Sequence, residues 1–149
     1  MAIQYADGTS SDVGRVIKVQ HKIYTGTQTI SSSGYVNIGG TSLAITVNPE
    51  STNSRFWLLF SGTTQVNGLR ARFDIHDSVA NGEVSGVSSL SAVENGPHVN
   101  TMITMQYFHE PASTSARTYQ PKVKNDGVHQ VYINAGTNMT SFVVVEFAD

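Results

Sequence analysis

The chain has 149 residues, a net charge of −2 and 13% charged residues, about half of the roughly 25% that is usual for a soluble domain. This length suits one domain with a sizeable core and is short for two. The nine basic residues are scattered and do not form the positive patch that binding to nucleic acid requires. No apolar run approaches the ~20 residues needed to span a bilayer, and the absence of Cys excludes disulfides and thiolate metal sites.

The composition favours β-structure. Val, Ile and Thr together number 41, whereas Leu numbers 5. Side chains branched at Cβ fit a pleated surface and lose rotamer freedom in a helix. We therefore predict an all-β chain.

The first predicted elements, in chain order, are an arm and four strands. Residues 1–13 are polar and carry no hydrophobic period, which predicts an N-terminal arm in front of one domain at 14–149. Strands are predicted in 14–20, around 35–38 and at 43–47, where apolar residues alternate. Pro49 ends the third of these, because proline cannot donate to a strand ladder. The next segment, RFWLLF at 55–60, is continuously apolar, which is typical of a strand covered on both faces.

Alternation returns in LRARFDIH at 69–76. It directs Leu69, Ala71, Phe73 and Ile75 inward, and Arg70, Arg72, Asp74 and His76 outward. Residues 77–100 predict loops with one short strand, and further strands are predicted at 101–108, 116–124, 128–134 and 141–147. Eight to ten antiparallel strands without a helix exceed what one flat sheet holds. The sequence therefore predicts a single-domain jelly-roll β-sandwich.

Two of the predicted strands, 55–60 and 142–147, are apolar on both faces. A two-layer sandwich leaves one face of each strand in water, so we expect a partner subunit to cover the second face. Closed symmetry is the usual outcome of self-association. The predicted subunit interface consists of Phe56, Trp57, Leu59, Phe142, Val144 and Phe147.

A sequence echo spans the chain. PESTNSRFW begins at Pro49 and PASTSARTY begins at Pro111, 62 residues later. Proline fixes φ, and Ser and Thr hydroxyls bond to nearby turn backbone, so each copy predicts a turn followed by a new strand. The residues assigned to these turns and strand starts are Pro49, Ser51, Arg55, Pro111, Ser113 and Arg117.

Enzymatic chemistry finds little support. No GxSxG elbow occurs, and the carboxylates considered for glycoside cleavage have no characteristic spacing: Asp74, Asp77, Glu94 and Glu110. Asp74 and His76 share one strand face and could chelate a divalent ion. An exposed face with ion pairs to Arg70 and Arg72 explains the same pattern. We therefore predict no catalytic residue, no metal site and no cofactor.

Two further residue types leave alternatives open. His98, His109 and His129 are isolated in sequence, although a threefold axis could gather three copies of one of them around an ion. Tyr24, Tyr35 and Tyr119 could stack on sugar rings, but packing in a core or interface is the commoner use of aromatic residues.

GRVIKVQ, ITVNPESTNSRFWLLF, YFHEPASTSARTYQPKV, VYIN and VVVEF follow one another along residues 14–147. In this order they resemble small virion structural proteins of tailed bacteriophages, especially marine and cyanophage types. The resemblance implies a jelly roll like that of tumour necrosis factor, assembled as a homotrimer on the exterior of a virion. His109 and Glu110 depart from the Leu and Asp that are usual there.

Two virion roles compete. A trimeric tail or head fibre knob, which binds a host receptor or a host-surface glycan, needs a shaft in front of its first strand. A capsid decoration protein needs only a short arm, and residues 1–13 suit that role. We therefore predict a non-enzymatic trimer that binds the major capsid protein outside a phage capsid and stabilises the shell. The arm residues assigned to this attachment are Ile3, Tyr5, Asp7 and Val13.

The first residues lack the charged and apolar regions of a signal peptide. We therefore expect synthesis in the host cytoplasm and a final location on the virion exterior. Neither nucleic acid nor membrane is an expected partner.

Overall fold

The computed structural model describes residues 3–4, 10–11, 15–66, 70–84, 91–94, 99–126, 130–134 and 138–148, and of 3–4, 10–11 and 91–94 it describes the backbone. All regular structure in these residues is β, which confirms the all-β prediction. None of them forms a helix that could span a membrane. The strands are β1 (Ile3–Gln4), β2 (Ser10–Ser11), β3 (Arg15–Tyr24), β4 (Gln28–Ile30), β5 (Val36–Asn37), β6 (Ile45–Val47), β7 (Arg55–Val66), β8 (Arg70–Asp77), β9 (Gly82–Glu83), β10 (Ser91–Glu94), β11 (Asn100–His109), β12 (Arg117–Asn125), β13 (Val131–Ile133) and β14 (Thr140–Ala148).

The strands after β2 form two antiparallel sheets. In the first sheet, β7 pairs with β11 at one edge and with both β14 and β13 at the other, and these two continue to β3 and β4. In the second sheet, β12 lies between β8 and the pair β5 and β6, and β8 continues to β9 and β10.

Short strands that share an edge count as one position. Position one is β3 with β4, two is β5 with β6, three is β7, four is β8, five is β9 with β10, six is β11, seven is β12, and eight is β13 with β14. The spatial order is then one, eight, three and six in the first sheet, and two, seven, four and five in the second sheet. This order is the jelly roll, so the predicted fold class is confirmed.

Side chains from both sheets form one core. It includes Phe56, Phe60, Phe73, Tyr119 and Phe142, each at most 1% exposed. Along β7 and β14 every second residue is buried and those between are half-buried. This alternation is the period of two that one wet face requires.

Several predicted boundaries shift. β3 continues to Tyr24. β7 continues to Val66, because Gly62 and Thr64 lie on its buried side although the sequence there is polar. The Thr64 hydroxyl donates to the Tyr132 carbonyl at 3.1 Å, which satisfies that buried group. Of the inward residues predicted near β8, Ala71, Phe73 and Ile75 are buried, while Leu69 lies outside the described residues.

Candidate functional site

The outward side of the first sheet carries a set of apolar side chains, with His21, Ser61 and Gln106 interspersed among them. The pairing register places Trp57 opposite both Val145 and Phe108, and Leu59 opposite Val143. Residues directly opposite in a ladder point to the same side of the sheet. We name this set the apolar face; its members are Val16, Val19, Ile23, Trp57, Leu59, Met102, Phe108, Val143, Val145 and Phe147.

Three aromatic rings form the centre of the apolar face. The Trp57 and Phe108 ring centroids lie 6.0 Å apart with planes only 8° from parallel. Phe147 is tilted against Phe108 at 6.5 Å. Together with Gln106 and Tyr107 these rings line an open depression of about 500 Å³. Aromatic clusters beside a concave apolar surface are typical anchors of protein interfaces.

The exposure of this face is the feature that requires explanation. Eight large apolar side chains in the described part of the chain are exposed, and five of them belong to the apolar face: Val16, Val19, Ile23, Met102 and Phe108. Phe108 is 62% exposed and Val19 is 60% exposed. Single exposed apolar residues are ordinary, whereas a contiguous set indicates an interaction surface.

Polar groups around the apolar face include Arg55, which lies opposite Phe147, and several hydroxyl groups. Ser61 and Thr63 on β7 lie opposite Thr104 and Met102, and the Ser61 hydroxyl contacts the Met102 sulfur at 3.6 Å. Within the cluster, the buried Trp57 indole nitrogen has no acceptor among the described residues. A buried donor without a partner costs the folded chain free energy.

The predicted interface residues divide between the two sides of the sheet. Phe56, Phe142 and Val144 are 0%, 0% and 1% exposed in a single chain, because their alternate positions direct them into the core. Their assignment to a subunit interface is corrected to the core. Trp57, Leu59 and Phe147 lie on the apolar face, where contact with a partner subunit stays a prediction.

The echoed segments occupy equivalent places. Arg55 is the first residue of β7 and Arg117 is the first residue of β12. After Pro49, the Ser51 hydroxyl accepts from the Asn53 amide at 3.1 Å. After Pro111, the Ser113 hydroxyl accepts from the Ser115 amide, also at 3.1 Å. The two copies therefore form the same side-chain turn, one that brings the chain from the second sheet to the first and one that brings it back.

Beside these turns lies a buried polar network. Arg117 donates to Asp77 at 2.6 Å, and the ion pair is almost fully buried. His109 Nδ1 lies 2.9 Å from the Tyr119 hydroxyl. Burial lowers the pKa of His109 and raises that of Tyr119. The sequence indicated Arg117 only as a strand start, because its partner Asp77 is 40 residues away; the pair holds the second turn against β8.

Asp74 and His76, considered as a possible chelating pair, each make contacts with other residues. Asp74 is fully buried, and its Oδ1 accepts from the Ile75 amide at 2.7 Å. His76 packs edge-on against Tyr35, with ring centroids 4.9 Å apart. The expected ion pairs also differ, since Arg72 pairs with Asp126. Among the described residues, no three His, Asp or Glu side chains group closely enough to hold a metal ion.

Other candidate residues are dispersed. Asp77 is bound to Arg117, Glu110 is exposed after β11, and the side chain of Glu94 is not described. His98 and His129 lie outside the described residues. Tyr119 is buried in the core, Tyr24 packs against the core and Tyr35 contacts His76.

The predicted arm is partly described. Ile3 and Gln4 pair with Ser11 and Ser10, and among the described residues these two short strands pair with nothing else. Tyr5, Asp7 and Val13 lie outside the described residues, so the attachment role stays a prediction.

Fold and surface together define a jelly-roll protein with one apolar sheet face. No protein family and no curated protein matches the chain. Among solved structures, it is similar to a subunit of the disulfide-linked pili of Bacillus endospore appendages, with 6% identity over 88% of this chain and 89% of that chain and a TM-score of 0.39.

Capsid proteins of infectious bursal disease virus are also similar to it. A mutant VP2 protein has 9% identity over 98% of this chain and 42% of that chain, with a TM-score of 0.49. The Gx strain structure has 11% identity over 93% and 41%, with a TM-score of 0.46. The chain thus spans about two fifths of the length of these viral proteins. At these TM-scores the similarity does not extend to function.

Proposed function

We propose that this chain is a non-enzymatic structural protein of a virion, and that copies of it associate through the apolar face. The observation that carries the proposal is the exposure of that face, with Trp57, Phe108 and Phe147 at its centre. Association would remove these side chains from water, which is the main favourable term in most protein association. A polar surround of Ser, Thr and Gln around an apolar centre is the usual composition of an interface.

The proposed assembly is a homotrimer. In a closed ring of three, one surface of each copy contacts a different surface of the next copy. The apolar face would supply one of these two surfaces. The number three is the one that the resemblance to phage virion proteins implies.

The proposed site of action is the outside of a phage capsid, where the trimer acts as a decoration protein. Residues 1–13 would bind the major capsid protein, and the jelly roll would remain external. The pairing of β1 with β2 supports this division, because neither strand pairs with the two main sheets among the described residues. Burial of apolar surface and added strand pairing would then stabilise the shell without chemistry.

The experiment that tests self-association compares two substitutions to glutamate. Phe108→Glu puts a charge at the centre of the apolar face, whereas Val79→Glu puts the same charge on an exposed turn beyond β8; the two residues are 62% and 52% exposed. Sedimentation of the wild type and of Val79→Glu should give about three times 16.1 kDa. Phe108→Glu should give a folded monomer, because burying an unpaired charge is costly.

Two results would contradict the proposed association: a wild-type monomer at micromolar concentration, or a Phe108→Glu protein that still sediments as a trimer. Location is tested separately by a density map of the intact particle. A decoration protein should appear as repeated trimers on the shell, whereas density at the tip of a fibre would support the knob role instead.

A further inference from the structure

A second surface feature lies on the opposite face of the sandwich from the apolar face. The second sheet contains a cavity of about 300 Å³ between β8, β12, β5 and the turn that leads to β9. This size lies at the lower end of the range of small-molecule sites. Its lining residues include several with amide, hydroxyl, imidazole or ammonium groups: Asn37, Ser78, Asn81, Thr118, Gln120, His76 and Lys122. Carbon atoms nevertheless form most of the exposed wall of the cavity.

Two of the lining residues carry buried polar atoms without a partner. Gln120 is 7% exposed, and its Nε2 donates to the carbonyls of Ile38 at 3.2 Å and Pro121 at 3.0 Å. These two bonds fix the orientation of the amide and leave Oε1 as an acceptor that no donor contacts. His76 Nε2 is likewise buried and without a partner. Unsatisfied polar groups of this kind require an explanation in a native fold, and a ligand is one.

The imidazole of His76 packs against the ring of Tyr35. The Tyr35 ring meets it edge-on at 4.9 Å, and the Lys124 ammonium lies 4.8 Å from the centroid of the Tyr35 ring. Burial and the charge of Lys122 lower the pKa of His76, so the ring is neutral at pH 7. A neutral imidazole donates from one nitrogen and accepts at the other.

The charge around the cavity argues against a strongly ionic ligand. Asp77 contributes no unbound carboxylate oxygen, because Oδ1 accepts from the Val79 amide at 3.0 Å and Oδ2 accepts from Arg117. Lys122 is then the remaining charged side chain of the lining, and the carboxylate of Glu83 lies near His76 on the neighbouring strand. This balance suits neither a phosphate nor a divalent cation.

We propose that this cavity binds the hydroxyl groups of a neutral sugar residue. Each sugar hydroxyl both donates and accepts a hydrogen bond, as do the amide and hydroxyl groups of the lining taken together. Gln120 Oε1 and His76 Nε2 have almost no exposed surface in the unliganded chain, so both side chains would have to shift into the cavity before sugar hydroxyls could satisfy them. The site does not depend on the decoration role.

The test is a titration of the purified full chain, followed by two-dimensional NMR, with glucose, galactose, mannose and N-acetylglucosamine, and with inorganic phosphate as the ionic comparison. At least one neutral sugar should shift the signals of His76, Gln120 and Lys122 with millimolar affinity, as expected for a single ring with few contacts. Phosphate should bind more weakly or not at all.

Two variants and a matched control assign the site. His76→Phe keeps a ring against Tyr35 and removes the ring nitrogens, and Gln120→Met removes the amide; each should weaken sugar binding about tenfold or more. Gln130→Met makes the same chemical change at an exposed position and should bind as the wild type does. Since His76→Phe retains the packing, it remains informative if Gln120→Met does not fold.

The inference is overturned if no sugar of the panel shifts these signals, if phosphate binds more tightly than every sugar, or if both variants bind as tightly as the wild type. Sedimentation measures self-association, which is proposed for the apolar face and not for the cavity. A failure of sugar binding and a failure of trimer formation are therefore separate results.

Discussion

Asp74 lies on the outward side of β8, yet its side chain is fully buried. Its Oδ2 has no hydrogen-bond partner among the described residues. Burial raises the pKa of Asp74 to about 7, and the charge of Glu83 adds to the increase, while the Ile75 amide and Lys124 oppose it. Ionised Asp74 therefore costs the folded state free energy at neutral pH.

We predict that Asp74→Asn stabilises the fold in a pH-dependent way. Asp74 ionises near pH 4 in the unfolded chain but only near pH 7 in the folded chain. The wild type therefore loses stability as the pH rises from about 4 to about 7. Asn is neutral throughout and can still accept from the Ile75 amide. Urea unfolding at fixed protein concentration should show little difference at pH 4 and roughly 2 to 4 kcal/mol in favour of Asn at pH 8.

An exposed carboxylate provides the control for this experiment. Glu110→Gln removes a charge from the turn after β11, where the side chain is exposed, and should change the free energy of unfolding by no more than about 0.5 kcal/mol. Equal effects of Asp74→Asn at both pH values would show that Asp74 is not protonated in the folded chain.

Ala112 presents a backbone feature in the second echoed turn. Its φ is 48°, in the left-handed region that costs a residue with a Cβ roughly 1 to 2 kcal/mol. We predict that Ala112→Gly raises the free energy of unfolding by about 1 kcal/mol, after the greater freedom of glycine in the unfolded chain is subtracted. Ala116→Gly, in the same turn without a positive φ, should instead lower it. Thermal unfolding of both variants measures the difference, and a gain for Ala116→Gly alone would contradict the prediction.

At the level of elements, the echoed turns lie side by side. Arg117 pairs with Val47 and Phe56 pairs with His109, so the strands that flank the two turns are neighbours in both sheets. Glu50 in the first turn also donates its amide to Glu146 of β14 at 2.8 Å. Both copies of the repeated sequence thus connect the two sheets at the same end of the sandwich. One leads from the second sheet to the first, and the other leads from the first sheet to the second.

We predict that Ser51→Ala and Ser113→Ala each destabilise the fold, by about 0.5 to 1.5 kcal/mol, because each removes the acceptor of one turn amide. Ser113→Thr should restore the stability lost in Ser113→Ala, since a Thr hydroxyl forms the same turn. Chemical denaturation checks both statements. A Ser113→Thr protein as unstable as Ser113→Ala would mean that the hydroxyl is not what stabilises the turn.

The sequence predicted the positions of the strands better than it predicted which side chains of each strand point to the core. Alternation placed Ala71, Phe73 and Ile75 in the core correctly, because polar residues separate them. RFWLLF has no polar residue to mark the outward side, so Phe56 and Trp57 could not be distinguished before the register of β7 was known. The raised pKa of Asp74 was equally hidden, because it depends on burial in the folded chain and on the charges of Glu83 and Lys124 from other strands. Of the candidate surface, the sequence indicated that an uncovered apolar face exists but not which residues form it.

For the whole molecule, the sequence predicted two sheets and a jelly roll but not the pairing of individual strands. Pairs such as Tyr24 with Thr140 join residues more than 110 positions apart. Neither segment contains a sequence feature that indicates which strand it pairs with. The polar cavity was not predicted for the same reason. Its lining residues come from four separate segments, each of which is unremarkable alone.

We predict that a chain without residues 1–13 folds and self-associates but does not bind capsids. The described residues of the arm pair only with each other, so the deletion removes no ladder from the main sheets. Sedimentation should match that of the full chain, and co-sedimentation with capsids that lack decoration should be lost. Unimpaired binding to capsids would exclude the arm as the attachment element.

The position of β14 also constrains when the molecule can form during synthesis. β14 is the last described strand in sequence, yet it lies between β3 and β7, and it contributes Val143, Val145 and Phe147 to the apolar face. A nascent chain that ends before residue 140 has an incomplete first sheet, with β3 and most of β7 lacking their shared neighbour. The surface proposed for self-association is therefore complete only after β14 has been synthesised, so a nascent chain cannot associate through the whole of this surface before that point.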